Sequence, residues 1–283
     1  MMPSAARKWF DRIKRQFGYY PGALEEWSRF PWSATLEPKP RHAPIPLPEL
    51  RQRITDQVAA ALKPRGFERP SRRFETWVRR RTPCLYDLAS VRFVSSEPSM
   101  GMIQVGADAG LHLPIVEKIY HRFSGGIYRV QFGTAGVMLH LAYRKQKLPT
   151  AWFFWATAYS EKATQMIVDQ IVEYSLPLLE QVADYESLLV HPFLRMSSAQ
   201  KAILLALVGR TEEAQRVLEL TIEEDEKVRT SHKGSEPLET FPEQRARIGI
   251  LEALRSGQFS ELVEEVAASI KVSPPSMRGT GHV

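Results

Sequence analysis

Apolar residues in the stretch 49–62 recur at every fourth position, which is the spacing of a helix that buries one face. The stripe consists of Leu50, Ile54, Val58 and Leu62. Pro64 is expected to end this helix, because proline cannot donate the next backbone hydrogen bond. Gly66 can adopt the left-handed backbone of a helix-ending turn, which we expect to send Phe67 into the core.

Between residues 68 and 157 the pattern changes to alternating apolar and polar positions, which is typical of strands with one buried face. A short helix over 113–123, begun by Pro114, interrupts this pattern. Thr134, Ala135 and Gly136 are predicted to form a hairpin turn. The predicted strands are 73–80, 85–94, 100–107, 127–133 and 137–143, and 151–157 is either a buried central strand or the start of the next helix.

Beyond residue 160 the spacing of apolar residues is helical again. A helix that begins at Ser160 is expected to break at Leu176 and Pro177. Gly209 and Gly257 fall between successive helices, where tight turns would produce two helical hairpins. The other predicted helices are 178–183, 198–208, 211–229, 243–256 and 260–270.

The two ends of the chain have a different character. A short basic amphipathic helix is predicted over 5–17. The sequence leaves three docking sites open for this helix: its own protein, a membrane or a partner. Six prolines within 31–48 favour an extended strap or linker, with an SH3-like ligand as the alternative. Residues 272–283 are expected to form a disordered tail.

These elements together predict an α+β protein, in which an antiparallel β-sheet covered by helices is followed by a small C-terminal helical hairpin domain. The predicted divisions are the N-terminal basic helix and proline-rich strap at 1–48, the α+β sheet domain at 49–190, the helical hairpin domain at 191–271 and the tail at 272–283.

The composition narrows the class of protein. The chain has 283 residues, of which 43% are hydrophobic and 25% charged, so it can bury a sizeable core. Cys84 is its one cysteine, which excludes an intrachain disulfide and a multi-cysteine zinc site. No secretory signal and no apolar run of roughly 20 residues is visible. We therefore expect a cytoplasmic protein with no integral membrane segment.

Charge is distributed unevenly along the chain. Residues 1–150 carry a net charge of +13 and residues 151–283 a net charge of −7. A basic first half suits an anionic partner, which could be nucleic acid, a membrane surface or an acidic protein. The alternative is that the acidic half neutralises the basic half within the same molecule.

The sequence contains no short motif that is typical of a particular enzymatic reaction. Phosphate-binding loops, dinucleotide-binding glycines, zinc-protease motifs and nucleophile elbows are absent, and the seven histidines have no metal-ligand spacing. Cys84 would need a nearby base to act as a nucleophile, and Asp87, Asp108 and Glu117 lack the spacing of a metal-dependent nuclease. We therefore assign no catalytic residue, cofactor or metal. An enzymatic function is the third hypothesis, after protein binding and nucleic-acid binding.

The richest chemical feature is a cluster of seven arginines within residues 65–81, interleaved with aromatic residues. Arginine binds phosphate or carboxylate through paired hydrogen bonds, and aromatic rings can stack on bases. Three interpretations stay open: an acidic protein partner, nucleic acid, or an exposed hairpin that is merely arginine-rich. Trp77 is either an interface anchor or a core residue. The candidate partner-binding residues are Arg72, Arg73, Trp77, Arg79, Arg80 and Arg81.

The order of a helix, "LKPRGF", "RRFETWVRRR", "YDLASVRFV" and "MIQVGADAGLH" resembles a bacterial family of domains of unknown function over about residues 49–190. The resemblance implies a fold rather than an activity, because it is carried by core and turn positions. Some members of that family look like immunity proteins, which implies binding and masking of a partner. Residues 202–214 resemble a tetratricopeptide-type helical hairpin. The carrying positions are Leu62, Gly66, Phe67, Phe74, Val91, Phe93, Val105 and Gly106.

The sequence therefore favours a non-enzymatic protein-binding module, either an immunity protein or an accessory protein, that masks an acidic partner surface. The alternative is a nucleic-acid-binding protein that uses the arginine-rich segment 65–81.

Overall fold

The structure is a computed structural model that describes residues 43–71, 75–94, 102–126, 133–137, 152–156, 159, 161–231 and 241–270. Several predictions concern residues outside these ranges. They are the helix at 5–17, the strap up to residue 42, nearly all of the strands at 127–133 and 137–143, and the tail at 272–283.

The described residues form an antiparallel β-sheet with helices, which confirms the predicted α+β class. The strands are β1 (Thr76–Thr82), β2 (Leu85–Val94), β3 (Met102–His112), β4 (Ala135–Val137), β5 (Trp152–Trp155) and β6 (Leu194–Arg195). The helices are α1 (Leu47–Leu62), α2 (Pro114–Ser124), α3 (Glu161–Asp169), α4 (Leu176–Glu180), α5 (Tyr185–Val190), α6 (Ser198–Leu207), α7 (Thr211–Ser231), α8 (Pro242–Arg255) and α9 (Phe259–Ser269).

The strand order in the sheet is β1-β2-β3-β4-β6, and β5 pairs with the first part of β3. In the β3–β5 pair, Ile103 lies opposite Phe154. In the β3–β4 pair, Gly110 lies opposite Gly136. A Cβ atom on Gly110 would lie 2.5 Å from the carbonyl oxygen of Ala135, so this close approach of two backbones requires glycine at position 110.

The chain divides into two compact units, each built from several stretches of sequence. Unit 1 comprises residues 1–66, 90–108 and 139–174, and unit 2 comprises residues 67–89, 109–138 and 175–283. Each unit is discontinuous along the chain, whereas the linear division at residue 190 stays a prediction.

In unit 1, helix α1 packs against α3. All four residues of its predicted apolar stripe are buried, and the helix ends as expected, because Gly66 has a φ of 78°. The strand residues Val91 and Val105 are also buried. Phe93 differs from the expectation, since it is only half-buried and the Arg51 guanidinium covers its ring at 4.9 Å.

In unit 2, helix α6 packs on α7, α8 packs on both of them, and α2 packs against α6, α8 and α9. The predicted turns at Gly209 and Gly257 are confirmed by their φ values of 82° and 76°. Phe67 is buried, as predicted. Helices α8 and α9 each bury one apolar stripe, whereas α6 is buried on nearly all sides, since every residue from Ala202 to Leu207 is buried.

Two predicted features are wrong. The segment around Ala135 is not a hairpin turn, because it forms strand β4 between β3 and β6. Thr134 fixes its start: the Thr134 amide donates to the Leu111 carbonyl at 2.6 Å, and the Leu113 amide donates to the Thr134 hydroxyl at 2.8 Å. Short polar residues suit turns and strand ends alike, and the pairing partner decides between them.

The helix that begins near residue 161 does not break at Leu176. It widens into a π-helical stretch over residues 170–175 and continues as α4, where Pro177 occupies the first turn. A proline in the first turn is tolerated because the missing amide would have no helical partner there. The spacing of apolar residues did not predict α5 and β6, because both are too short to show a periodicity.

Candidate functional site

The predicted partner-binding residues lie on strand β1 in unit 2, apart from Arg72 and Arg73, which fall outside the described residues. Alternation along the strand puts Arg79 and Arg81 on one face and Arg80 on the other. The two faces have different surroundings, so these three arginines do not form one site.

Arg79 and Arg81 converge on Asp87, whose side chain is 0% exposed. The Asp87 Oδ2 atom lies 2.8 Å from one terminal nitrogen of Arg79, and Oδ1 lies 3.0 Å from Nε of Arg81. Burial raises the pKa of Asp87, while attraction by Arg81 and a hydrogen bond from Arg79 act in the opposite direction. A buried carboxylate between two guanidinium groups is a structural ion pair network.

The same two arginines have further partners within unit 2. Arg79 also donates to Glu180 at 2.9 Å and lies 5.0 Å above the Phe67 ring. Arg81 donates to the carbonyl oxygens of Leu179 and Val182, at 3.1 and 2.8 Å. The Leu179 carbonyl lies in the last turn of α4 and also accepts from the Val182 amide at 3.0 Å, and the Val182 carbonyl lies two residues beyond the helix. Both side chains therefore support the fold.

Trp77 is a core residue, with only 2% of its surface exposed. The Arg69 guanidinium lies 5.8 Å from its ring, and Arg69 also pairs with Glu75 at 3.7 Å. Trp77 is therefore not an exposed anchor, and the structure decides for the second of the two alternatives that the sequence left open. The physical reason is that the face of β1 on which Trp77 lies is covered.

Arg80 has a different environment, because its side chain is exposed. Its guanidinium lies 5.4 Å above the ring of Tyr86, which stacks in turn on the buried His112 ring at 5.6 Å. Within the part of the chain that the structure describes, Arg80 makes no ion pair. We call this feature the Arg80–Tyr86 surface.

Strand β1 lies at one end of the strand order, and β6 lies at the other. On its outer side, the described residues contribute only the bridge between Glu68 and Val78. Because backbone groups alternate in direction along a strand, Arg80 presents its N–H and C=O groups to the same outer side as Val78. At Arg80, β1 thus combines a cation with a strand edge that no described strand covers.

The other candidate residues have structural partners or lack activation. Burial raises the pKa of the Cys84 thiol, although a hydrogen bond with Tyr185 acts against this, so the environment does not favour the reactive thiolate. Asp108 is held by two hydrogen bonds from Arg92, at 3.0 and 3.2 Å. Among the described residues no three acidic, histidine or cysteine side chains group as metal ligands would.

Sequence reasoning missed the partner of the arginine cluster. From the sequence, Asp87 was considered only for a metal-dependent nuclease site. Its pairing with Arg79 and Arg81 depends on the register of the β1–β2 hairpin. Alternation shows which arginines share a face, but it does not show which residue of the next strand lies opposite them.

The described residues thus define an α+β protein in which Arg79 and Arg81 of the arginine cluster pair with Asp87 inside unit 2. Comparison of the chain with protein-family models, with curated proteins and with solved structures finds no match in any of the three. No helix in the described ranges is long and apolar enough to cross a bilayer.

Proposed function

We propose that this protein is a non-enzymatic protein-binding module, of the immunity or accessory kind, that docks an acidic partner on the Arg80–Tyr86 surface. One observation carries the proposal: the exposed Arg80 guanidinium is held on an aromatic ring and has no ion pair among the described residues. The site therefore differs from Arg79 and Arg81, whose charges are already matched inside unit 2.

Stacking on Tyr86 restricts the Arg80 side chain before a partner arrives. A cation over an aromatic face is stabilised by about 0.5–1 kcal/mol at exposed sites. Less side-chain freedom is then lost on binding, which favours affinity. Arginine and tyrosine are also the residue types that dominate the binding energy of protein interfaces. A carboxylate of the partner would complete the charge pair that Arg80 lacks within the described structure.

The edge of β1, which no described strand covers, suggests how the partner could be held. An extended segment can add to an exposed strand edge, where backbone hydrogen bonds supply affinity and side chains supply specificity. Beside Arg80, an acidic residue of such a segment would be well placed. The proposed partner therefore presents an extended acidic stretch.

The nucleic-acid alternative ranks below this proposal. Binding to phosphates needs several available cations, because affinity comes from the release of counterions at each contact. Two of the arginines that this alternative relies on, Arg79 and Arg81, are bound to Asp87 instead. The alternative is retained as an outcome of the experiment below.

We expect the Arg80→Glu substitution to weaken partner binding by at least about tenfold without unfolding the protein, because it places a carboxylate against an acidic surface. A photoreactive benzoylphenylalanine in place of Tyr86 would capture the partner from a native lysate. Titration calorimetry with the identified partner then measures the affinity of wild-type and variant chains, and thermal melting confirms that both are folded.

Arg195→Glu is the matched control, because Arg195 is exposed on β6, at the other end of the strand order, and the charge change is identical. Unchanged affinity in Arg80→Glu, or an equal loss in both variants, would contradict the proposal. Single-stranded and double-stranded DNA are tested in parallel at low salt. Binding of either that disappears in Arg80→Glu would support the nucleic-acid alternative instead.

A further inference from the structure

A groove of about 360 Å³ lies between helices α2 and α9 within unit 2. That volume is within the range of sites for small molecules. Its lining includes Lys118, His121, Arg122, Glu265 and Ser269. The groove shares no residue with the Arg80–Tyr86 surface, and none of the candidate partner-binding residues lines it.

Three of the lining residues project from one face of α2. Lys118, His121 and Arg122 are spaced at i, i+3 and i+4, which places their side chains side by side on the helix surface. Lysine supplies a compact charge with three donors, and arginine supplies a planar fork of donors. This spacing concentrates basic groups along one wall of the groove.

These basic groups are not needed to cap the end of α2. The Gly125 amide donates to the His121 carbonyl at 3.2 Å, and Arg245 donates to the Ser124 carbonyl at 2.8 Å. Lys118 instead donates to the Ser269 hydroxyl at 3.0 Å, across the groove. The Lys118 side chain therefore reaches across the groove from α2 to α9.

Glu117, which does not line the groove, holds the imidazole of His121 in place. Its Nε2 atom lies 3.4 Å from Glu117, whose side chain is 3% exposed. Glu117 also accepts a hydrogen bond of 2.6 Å from Gln200, a residue of the box that caps α6. A Cβ atom on Gly126 would lie 2.7 Å from Nδ1 of the ring, so only glycine leaves the ring this position. His121 is thus a fixed part of the wall.

The opposite wall contributes one exposed carboxylate. Glu265 lies 2.7 Å from Arg122, and the two side chains are 64% and 50% exposed. A pair this exposed contributes little to stability, so a competing anion can displace it at small cost. Glu265 is in this respect a counter-ion that a ligand can replace.

We propose that the α2–α9 groove binds a small phosphate-bearing anion, with Lys118 and Arg122 as its donors and Glu265 as the group that it displaces. Phosphate fits these two donors because it offers oxygen acceptors in several directions and two negative charges, which suit a lysine and an arginine fork together. His121 is a positioning residue that shapes the wall.

The test uses the full chain and inorganic phosphate, with glycerol phosphate as a phosphomonoester and chloride at equal ionic strength as the reference. We expect phosphate to raise the melting temperature saturably, because a ligand that binds only the folded state stabilises it. The Lys118→Gln/Arg122→Gln double variant should bind phosphate at least about tenfold more weakly in titration calorimetry. Lys201→Gln/Arg216→Gln, which removes two exposed charges elsewhere in unit 2, should bind like the wild type.

A second variant separates ligand binding from a structural role. Glu265→Gln removes the competing carboxylate, so we expect it to strengthen phosphate binding about threefold or more, while a purely structural ion pair would leave affinity unchanged. A phosphate effect no larger than that of chloride would overturn the proposal. Equal binding by the two double variants, or weaker binding by Glu265→Gln, would also overturn it.

Discussion

Replacing Asp87 with alanine is expected to lower the free energy of unfolding by about 3–5 kcal/mol, because breaking a buried ion pair leaves uncompensated charge behind. Asp87 is 0% exposed and faces both Arg79 and Arg81. Arg79 keeps its contact with Glu180, and Arg81 keeps its two carbonyl partners, but neither replaces the central carboxylate. Urea denaturation followed by circular dichroism measures the loss.

Two comparisons make the Asp87 result specific. Asp56→Ala changes an exposed aspartate and should alter stability by less than about 0.5 kcal/mol. Asp87→Asn keeps the size and the acceptor oxygen but removes the charge, so its loss should fall between those of the two alanine variants. A fully stable Asp87→Ala protein would mean that the arginine cluster is not held from within.

Replacing Trp77 with alanine should lower the free energy of unfolding by a similar amount, about 3–5 kcal/mol, because it removes a large buried ring and leaves a cavity. Trp77 is 2% exposed, and its loss also removes the ring against which the Arg69 guanidinium lies. Chemical denaturation gives the stability, and near-ultraviolet circular dichroism reports on the aromatic core.

Phe241 supplies the control for Trp77, because this aromatic residue is 51% exposed. Phe241→Ala should change stability by less than about 0.5 kcal/mol. Trp77→Phe retains most of the apolar volume and should be less harmful than Trp77→Ala. If Trp77→Ala melted like the wild type, the assignment of Trp77 to the core would be wrong.

These two variants cannot serve as tests of binding, because a loss of partner in either would follow from a loss of fold. Arg80→Glu can serve, since the exposed Arg80 contributes no ion pair among the described residues and its removal should leave the core intact. Among the candidate partner-binding residues that the structure describes, Trp77, Arg79 and Arg81 thus maintain the structure, and Arg80 remains available to a partner.

Local patterns predicted much of the fold. Residue spacing and backbone preferences within short stretches of the chain are enough to predict three features. These are the apolar stripe of α1, the glycine turn that follows it and the bounds of β2. Helices α6 to α9 follow for the same reason, because the turns at Gly209 and Gly257 separate strongly periodic segments. These features need no knowledge of distant parts of the chain.

The failures have a common cause in contacts that are remote in sequence. Ala135 belongs to a strand because β3 and β6 lie on either side of it. The π-helical residues 170–175 carry the chain past the expected break at Leu176. In each place the local signal was compatible with two structures, and pairing or packing chose between them.

The candidate site shows the same division. The sequence by itself determined that three consecutive arginines follow Trp77 and Val78 and that, on a strand, Arg80 faces away from Arg79 and Arg81. Only the tertiary structure decided which of these side chains are used internally, because burial of Asp87 and the position of α4 depend on strand register and helix packing. A guanidinium in the sequence has the same charge everywhere, but it is free to bind a partner only where the fold provides no carboxylate to meet it.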